Sequence, residues 1–238
     1  MGPKKYNMYT GPLGNIIQQH KINHKSYADD SNLYISFKVK DKLEKDVAIR
    51  KLEACLRDVV KWMRTNMLKL NTDKTEMMLI ASKKDLHMID KISVKVGNTD
   101  IKSISHVKNL GVILDSTMTM KHQVNVTTRL AYHKLYKIGR IHRYLSEDVT
   151  KTLVNSLVTS RLDYCNSLLY GLPNSLLSKL QRVQNTSARV ITKTPRHNHI
   201  TSVLKELHWL PIAYHIKFKI LLIVYKALKG LVPYRRTD

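Results

Sequence analysis

Residue patterns typical of β-strands are confined to the first half of this 238-residue chain. Ile92, Val94 and Val96 alternate with polar residues, as in a strand with one buried face, and Gly97-Asn98 follows as a turn. The apolar run Met77-Met78-Leu79-Ile80 predicts another short, buried strand. Beyond about residue 118 only helical periodicity remains. We therefore expect an α+β chain, with a β-containing region at 1–117 and an all-helical region at 118–238.

Helices are predicted from apolar residues that recur every three or four positions. Ser146 and Asn174 are expected to cap two of these helices, and Gly230 is expected to end the last one. Asn66 is expected near the end of the first long helix, since asparagine tolerates the left-handed cap conformation. A shorter segment, Asn15 to His20, predicts one or two helical turns. The long helices are expected over residues 42–66, 120–144, 147–160, 174–192 and 212–229.

Residues 25–39 carry a polar break between two groups of β-forming side chains. Tyr27 precedes the break and Leu33, Tyr34 and Ile35 follow it. The pattern predicts a β-hairpin whose turn holds two adjacent acids, Asp29-Asp30.

The chain carries 41 Lys and Arg residues against 18 Asp and Glu residues, for a formal net charge of +23. The balance is +8 over residues 1–120 and +15 over residues 121–238. Such an excess indicates a polyanionic partner, with nucleic acid as the first candidate and an anionic membrane surface as the second. The longest apolar run, residues 220–225, is too short to cross a bilayer, so no membrane span is expected.

The cysteine content excludes a disulfide framework. Cys55 and Cys165 both fall in helix-like apolar patterns, which predict buried, reduced thiols. A reducing compartment is therefore expected, which places the protein inside the cell, in the nucleus or the cytoplasm.

Two adjacent carboxylates at a hairpin turn are costly unless positive charge lies beside them, and a divalent cation is the usual solution. Asp29 and Asp30 are therefore candidate metal ligands for two-metal phosphoryl transfer. The four residues Tyr27-Ala28-Asp29-Asp30 taken alone are equally compatible with an ordinary solvated turn.

The residues around this pair resemble the reverse transcriptases of non-LTR, LINE-type retrotransposons, close to the vertebrate-repeat and jockey-like branch. Tyr27-Ala28-Asp29-Asp30 is similar to the family's catalytic motif, and Ser31-Asn32-Leu33-Tyr34-Ile35-Ser36 to the residues that follow it. The resemblance extends over nearly the whole chain. Its other blocks are Trp62-Met63 with Asn66-Met67-Leu68-Lys69-Leu70-Asn71 and Lys74-Thr75-Glu76, Val107-Lys108-Asn109-Leu110-Gly111-Val112, Ser160 to Asn166, Leu180 to Asn185, and Leu207 to Pro211.

The resemblance implies specific roles for the residues in these blocks. Asp29 and Asp30 would be catalytic and bind Mg²⁺, with Asp29 the more important ligand. Tyr27 and Ala28 would lie under the primer terminus and the template-primer backbone. Lys74 would be catalytic by approaching the triphosphate, although an exposed charge after a turn is the alternative. Primer or template would also contact Asn109, Leu110 and Gly111, for which an ordinary hairpin remains the alternative.

The resemblance also implies a polymerase fold that lacks part of its palm. Residues 1–117 would form an incomplete polymerase palm, a small antiparallel sheet plus a helix with an exposed sheet edge, and residues 118–238 an all-helical, thumb-like region. The family's first catalytic aspartate lies upstream of the Asp-Asp pair, yet residues 1–28 contain no acid. We therefore expect a truncated enzyme that is inactive alone. A deoxynucleoside triphosphate would bind only if an upstream segment completed the site.

A non-catalytic module that binds nucleic acid is the second hypothesis. Few acids accompany the cations of the second half, and such helix faces can follow phosphates without reading sequence. The partner would be an RNA–DNA hybrid or the backbone of RNA or DNA, and the alternative is a solvated helix surface. A protein-interaction scaffold ranks last, because Trp62 and Trp209 fit core positions. The candidate backbone contacts are Arg129, Lys134, Lys137, Arg140, Lys179, Arg182, Arg189 and Lys193.

Overall fold

The computed structural model describes residues 3–232 and divides the chain into two compact units, Met1–Val107 and Lys108–Asp238. The division falls ten residues before the boundary expected at 117 and lies inside a β-strand, His106–Asn109. The interpretation of the two regions as palm and thumb stays a prediction.

The first unit combines helices with two β-hairpins. Its strands pair only locally, so separate two-stranded sheets take the place of the single small sheet that was expected. In chain order its elements are α1 (Pro3–Gln19), β1 (Asn23–Tyr27), β2 (Asp30–Tyr34), α2 (Lys42–Thr65), a 3₁₀ turn (Thr72–Lys74), α3 (Lys83–Met88), β3 (Ser93–Val96) and β4 (Thr99–Lys102).

Helix α1 is much longer than the one or two turns predicted for this segment. Pro12 lies inside it, although proline removes a helical hydrogen bond and its ring clashes with the preceding turn. Burial on α2 accounts for the length, because Ile17 is 1% exposed and packs with Cys55 and Val59 of α2. Tertiary packing therefore overrides the local breakers here.

Helix α2 begins and ends close to the predicted residues. The Asp41 carboxylate caps it by accepting a 3.0 Å hydrogen bond from the Glu44 backbone N–H. Asn66 is the C-cap as expected, but the left-handed residue is Met67, with φ 53°. The Leu68 N–H then donates to the Met63 carbonyl at 2.8 Å, which completes a Schellman-type ending.

The strand predictions succeed where alternation is strict and fail where it is not. Val94 and Val96 are buried on one face of β3, and Gly97 makes the turn with φ 61°. The predicted strand at 77–80 is wrong, because only Met77 makes a bridge, to Ser103, and Ile80 is 58% exposed. The hairpin over 25–39 is confirmed as a hairpin, but it occupies residues 23–34.

The second unit is a helical bundle that follows one hairpin. Residues 147–163 are continuously helical, since a π-helical segment, Asn155–Thr159, joins two α-helices. The short helix Ile200–Glu206 was not predicted. The elements are β5 (His106–Asn109, across the division), β6 (Val112–Asp115), α4 (Lys121–Ile141), 3₁₀ turns at His142–Tyr144 and Asn166–Leu169, α5 (Glu147–Val154), α6 (Ser160–Asp163), α7 (Asn174–Thr192), α8 (Ile200–Glu206) and α9 (Ile212–Leu228).

The core of this unit is a single apolar cluster to which every helix from α4 to α9 contributes. Val154, Val158, Val183 and Ile191 are fully buried in it. Trp209 packs against its edge, which agrees with a core position.

Two of the three predicted cap residues in this unit have the expected role. Ser146 caps α5, and Gly230 follows α9 with φ 64°. The prediction for Asn174 is wrong, because Pro173 occupies the N-cap position and Asn174 is the first helical residue of α7. Proline at the N-cap position costs no backbone hydrogen bond, because the first N–H groups of a helix have no helical acceptor.

The cysteine prediction is confirmed for one residue only. Cys55 is fully buried, and burial, with a contribution from the Asp58 charge, raises the pKa of its thiol. Cys165 is exposed and lies in a left-handed turn with φ 52°, so its buried position was wrongly predicted. Across residues 3–232, no helix combines the length and apolar character needed to cross a bilayer.

Candidate functional site

The Tyr27–Asp30 segment forms the tip of the β1–β2 hairpin. Tyr27 pairs with Asp30, so the loop contains two residues, Ala28 and Asp29. A loop this short fixes the register of both strands. Asp29 thus occupies the turn itself, and Asp30 is the first residue of β2.

The backbone of this turn is strained at one residue. Ala28 has φ 54°, a left-handed conformation that costs a residue with a Cβ about 1–2 kcal/mol. Strain of this kind concentrates at functional sites, where the surrounding structure holds it. Near the tip, the hydroxyls of Ser26 and Ser31 are hydrogen-bonded across the strands at 3.0 Å.

The base of the hairpin is anchored, whereas its tip is exposed. Leu33 packs against the cluster that contains Ile17, Ile22 and Cys55. Tyr27 is 69% exposed, and both Asp29 and Asp30 are exposed. No hydrogen bond or ion pair engages either carboxylate among the described residues. The fold therefore leaves both acidic side chains available to an external partner.

A magnesium ion would find only part of its ligand set here. Carboxylate oxygens are suitable donors for Mg²⁺, and Asp29 and Asp30 supply two carboxylates. Within residues 3–232 no group of three or more His, Cys, Asp or Glu side chains could hold a metal ion. The residues present therefore do not make a complete magnesium site.

Lys74 lies at the end of the 3₁₀ turn Thr72–Lys74. Its backbone N–H donates to the Asn71 side chain at 3.3 Å, which caps the turn. The Lys74 side chain is exposed, and no ion pair joins its ammonium group to Asp29 or Asp30 among the described residues. A role for Lys74 beside the triphosphate stays a prediction.

The β5–β6 loop consists of Leu110 and Gly111, both in left-handed conformations with φ 45° and 82°. Two positive φ values match the preferred turn of a two-residue hairpin. Tyr164 holds this loop, because its hydroxyl donates to the Leu110 carbonyl at 2.6 Å. A Cβ on Gly111 would lie 3.4 Å from the Tyr164 ring. The primer-contact role of Asn109, Leu110 and Gly111 stays a prediction.

Sequence reasoning did not assign a role to Tyr164. The residue belongs to the block Ser160–Asn166, which carries the family resemblance, and this was the available signal. Its contact with Leu110 spans 54 positions along the chain, so no local pattern could reveal it.

A second residue that sequence reasoning missed, Asp115, is the last residue of β6 and is buried, with 6% exposure. Its carboxylate accepts hydrogen bonds from the backbone N–H groups of Thr117, Thr119 and Met120 at 3.2, 2.9 and 2.8 Å. Burial raises the pKa of this carboxyl, but these bonds and those from the threonine hydroxyls outweigh it and lower the pKa overall. Asp115 thereby fixes the entry into α4.

The predicted backbone-contact cations lie on two helices of the second unit. On α4, Arg129, Lys137 and Arg140 are exposed and Lys134 is half-buried. Neither α4 nor α7 contains an Asp or Glu residue. The positive charge of α4 therefore has no acidic neighbour on its own helix.

The cations of α7 differ in how far they are engaged. Arg182 is exposed, and Lys193 is the C-cap of α7 with φ 55°. The Lys179 ammonium donates to the Asn125 side chain of α4 at 2.7 Å. The Arg189 guanidinium donates to the carbonyls of Pro195 and Asn198 at 2.6 and 3.0 Å, so it holds the loop after α7. Phosphate contacts by these four residues stay predictions.

Comparison with known proteins gives one result for the first half of the chain. No curated protein and no solved structure matches this sequence. Residues 1–114 match the family model described as reverse transcriptase (RNA-dependent DNA polymerase).

Proposed function

We propose that this chain is part of an RNA-directed DNA polymerase of a non-LTR, LINE-type (jockey-like) retrotransposon. The supporting observation is the hairpin tip, where a two-residue turn presents Asp29 and Asp30 to solvent inside the segment that matches the reverse transcriptase model. The family's reaction is template-directed nucleotidyl transfer with a divalent metal, typically Mg²⁺. Residues 1–117 act as a partial palm and residues 118–238 as a thumb-like region.

The hairpin residues have distinct roles in this proposal. The carboxylates of Asp29 and Asp30 provide metal ligands, and Tyr27 and Ala28 support the primer terminus. The two-residue loop suits such a role, because a site on paired strands is positioned more rigidly than a site on a mobile loop. The metal would supply charge stabilisation for the transferring phosphoryl group.

This chain is not expected to catalyse DNA synthesis by itself. Its two hairpin carboxylates have no third acidic, histidine or cysteine side chain grouped with them within residues 3–232. Catalysis of phosphoryl transfer depends on positioning and electrostatics, which an incomplete ligand set cannot provide. A complementing segment would have to supply the missing carboxylate before deoxynucleoside triphosphate could be used.

Primer extension on an RNA template with the purified chain tests this proposal. We expect no extension above the level of an Asp29→Ala/Asp30→Ala variant. Adding a segment of a related polymerase that contains the first catalytic aspartate should restore extension to the wild-type chain and not to the variant. Extension by the chain alone that depends on Asp29 would refute the proposed inactivity. Complemented extension that is equal in the variant would refute the metal-ligand role.

A second candidate function, binding of nucleic acid without reading its sequence, is favoured by the second unit. Helices α4, α7 and α9 contain no Asp or Glu residue, although each carries several Lys or Arg residues. A surface with unneutralised positive charge attracts phosphates and releases condensed counterions on binding. Its partner would be an RNA–DNA hybrid or the backbone of RNA or DNA.

Fluorescence anisotropy with a labelled RNA–DNA hybrid tests this binding. Affinity should fall steeply between about 50 and 200 mM salt, with little dependence on base sequence. Replacing Arg129 and Arg140 by glutamine should make the salt dependence shallower, by about one unit of slope for each phosphate that is no longer neutralised. An affinity that does not change over this salt range would refute the proposal.

A further inference from the structure

Helix α4 has a buried apolar face and an exposed face that carries basic and aromatic residues. Its buried face consists of Val124, Thr128, Ala131, Leu135 and Ile138, spaced by four and three residues in turn. This face packs into the core cluster and fixes the rotation of the helix about its axis. The residues opposite are therefore held outward by the packing of the core.

The outward face carries two tyrosines flanked by two arginines. We name as the α4 stripe the four residues Arg129, Tyr132, Tyr136 and Arg140, which follow one another at intervals of three or four positions. Tyr136 is 67% and Tyr132 40% exposed, and both arginines are exposed. One helical turn, about 6 Å, separates the two tyrosines along the helix axis.

The four side chains of the stripe are not engaged elsewhere in the fold. No hydrogen bond, ion pair or ring contact involves any of them within the described part of the chain. The sequence contains no Asp or Glu between Asp115 and Glu147, so α4 and the turn after it have no acid of their own. The stripe therefore combines unneutralised charge with two exposed aromatic rings.

The same composition continues into the 3₁₀ turn that follows α4. Tyr144 is 79% exposed, and the Arg143 guanidinium lies 5.7 Å from the centre of its ring. Exposed aromatic side chains that lie close together mark interaction sites more than single ones do. Rings placed among cations can stack on nucleobases while the cations contact the phosphates.

We propose that the α4 stripe binds single-stranded nucleic acid, with unpaired bases stacked on Tyr132 and Tyr136 and phosphates held by Arg129 and Arg140. This inference rests on the proposed nucleic-acid binding of the second unit and specifies its ligand. A paired duplex cannot use the rings, because its bases are already stacked on one another. The stripe thus selects strands with free base faces, without preference for sequence.

A pair of oligonucleotides that differ only in their bases tests the stacking. The wild-type chain is titrated with a thymidine oligonucleotide of about 12 nucleotides and with an abasic strand of equal length, in low salt. The thymidine oligonucleotide should bind at least about tenfold more tightly than the abasic strand, because only the thymidine oligonucleotide offers bases to stack. Equal affinity for the two strands would overturn the proposal.

Matched variants assign the effect to the stripe. In a Tyr132→Leu/Tyr136→Leu variant the preference for thymidine over the abasic strand should disappear, while affinity for the abasic strand stays within about twofold. A Tyr170→Leu variant is the control, since Tyr170 is a 63% exposed tyrosine before α7, outside the stripe and outside the three basic helices. An undiminished preference in the double variant, with an unchanged thermal unfolding midpoint, would overturn the assignment.

The same titrations separate this inference from the broader proposal. If the chain binds the abasic strand and an RNA–DNA hybrid in a salt-dependent manner but shows no preference for bases, stacking is refuted and the phosphate contacts stand. If no nucleic acid binds at low salt, both proposals fail, and the exposed rings would point to a protein partner instead.

Discussion

Two turns that contain aspartate use their carboxylates in opposite ways. The Asp115 carboxylate is buried, and it accepts hydrogen bonds from N–H and hydroxyl groups of Thr117, Thr119 and Met120. Asp29 and Asp30 are exposed, and no described residue donates a hydrogen bond to either carboxylate. The fold therefore uses Asp115 to support itself and leaves the hairpin pair for an external ligand.

The backbones of the two turns are strained alike but supported differently. Met118 and Met120 in the Asp115 turn have φ 53° and 57°, and the Asp115 carboxylate accepts a hydrogen bond from the Met120 N–H. Ala28 in the hairpin turn has φ 54° without a side-chain hydrogen bond to hold it. The hairpin turn is restrained by strand pairing and by the hydrogen bond between the Ser26 and Ser31 hydroxyls.

The largest expected effect is that of Asp115→Ala. This change removes several charge-assisted bonds and leaves buried N–H groups without partners, so we expect a loss of about 3 kcal/mol of stability. Urea-induced unfolding followed by circular dichroism measures the change. Asp29→Ala and Asp30→Ala are the matched controls and should stay within about 0.5 kcal/mol of wild type. Equal losses at the two turns would contradict the distinction between them.

The next effect is the dependence of stability on pH that Asp115 confers. Because its pKa is lowered in the folded protein, its contribution is fully present above the ordinary aspartate pKa and is lost as pH falls through the folded value. The wild-type chain should therefore lose its advantage over Asp115→Asn below about pH 4. Thermal unfolding midpoints of both proteins between about pH 2 and 7 measure this. A difference in unfolding midpoint that does not change with pH would show that the charge of the carboxylate is unimportant.

Gly97→Ala calibrates the cost of a strained hairpin turn. Gly97 begins a two-residue loop with φ 61°, as Ala28 does in the other hairpin, and no atom lies within 4 Å of a Cβ added there. The cost of the substitution is thus the left-handed backbone alone, about 1–2 kcal/mol. Unfolding in urea measures it, and a neutral result would remove the case for strain at Ala28.

The smallest effect is expected from Ala28→Gly. Relief of the left-handed strain stabilises the folded chain, but glycine also makes the unfolded chain more flexible, so the net gain should be about 0.5 kcal/mol. The same unfolding assay measures the gain. Ala48→Gly, within α2, is the contrasting control and should destabilise by about 1–2 kcal/mol, because it lowers helix propensity and removes a buried methyl group. A loss of stability in Ala28→Gly would contradict a strained turn.

Strict periodicity made the larger elements predictable. The alternating strand at 93–96 and the long helices α2, α4, α7 and α9 follow from residue spacing, and the hairpin, expected over 25–39 and found at 23–34, follows from β-forming side chains on both sides of a polar break. The candidate acids were recognised because both lie in one short local motif, Tyr27-Ala28-Asp29-Asp30.

The wrong predictions for residues 77–80 and for α1 have one cause, because both depend on contacts between residues distant along the chain. The predicted strand at 77–80 required partner strands, and only Met77 found one, in a single bridge to Ser103. Helix α1 forms across Pro12 because Ile17 is buried against α2, a stabilisation that local propensity does not contain.

By itself, the sequence determined the hairpin that carries Asp29 and Asp30, the helical second half and the positive charge of its helices. Hydrophobic periodicity and charge are local properties that the order of residues fixes directly. Only the tertiary structure decided that Asp115 is buried, that Tyr164 holds the Leu110-Gly111 loop, and that α4 turns Tyr132 and Tyr136 outward. These outcomes depend on contacts between residues distant along the chain, and core packing selects among faces that the sequence leaves equivalent.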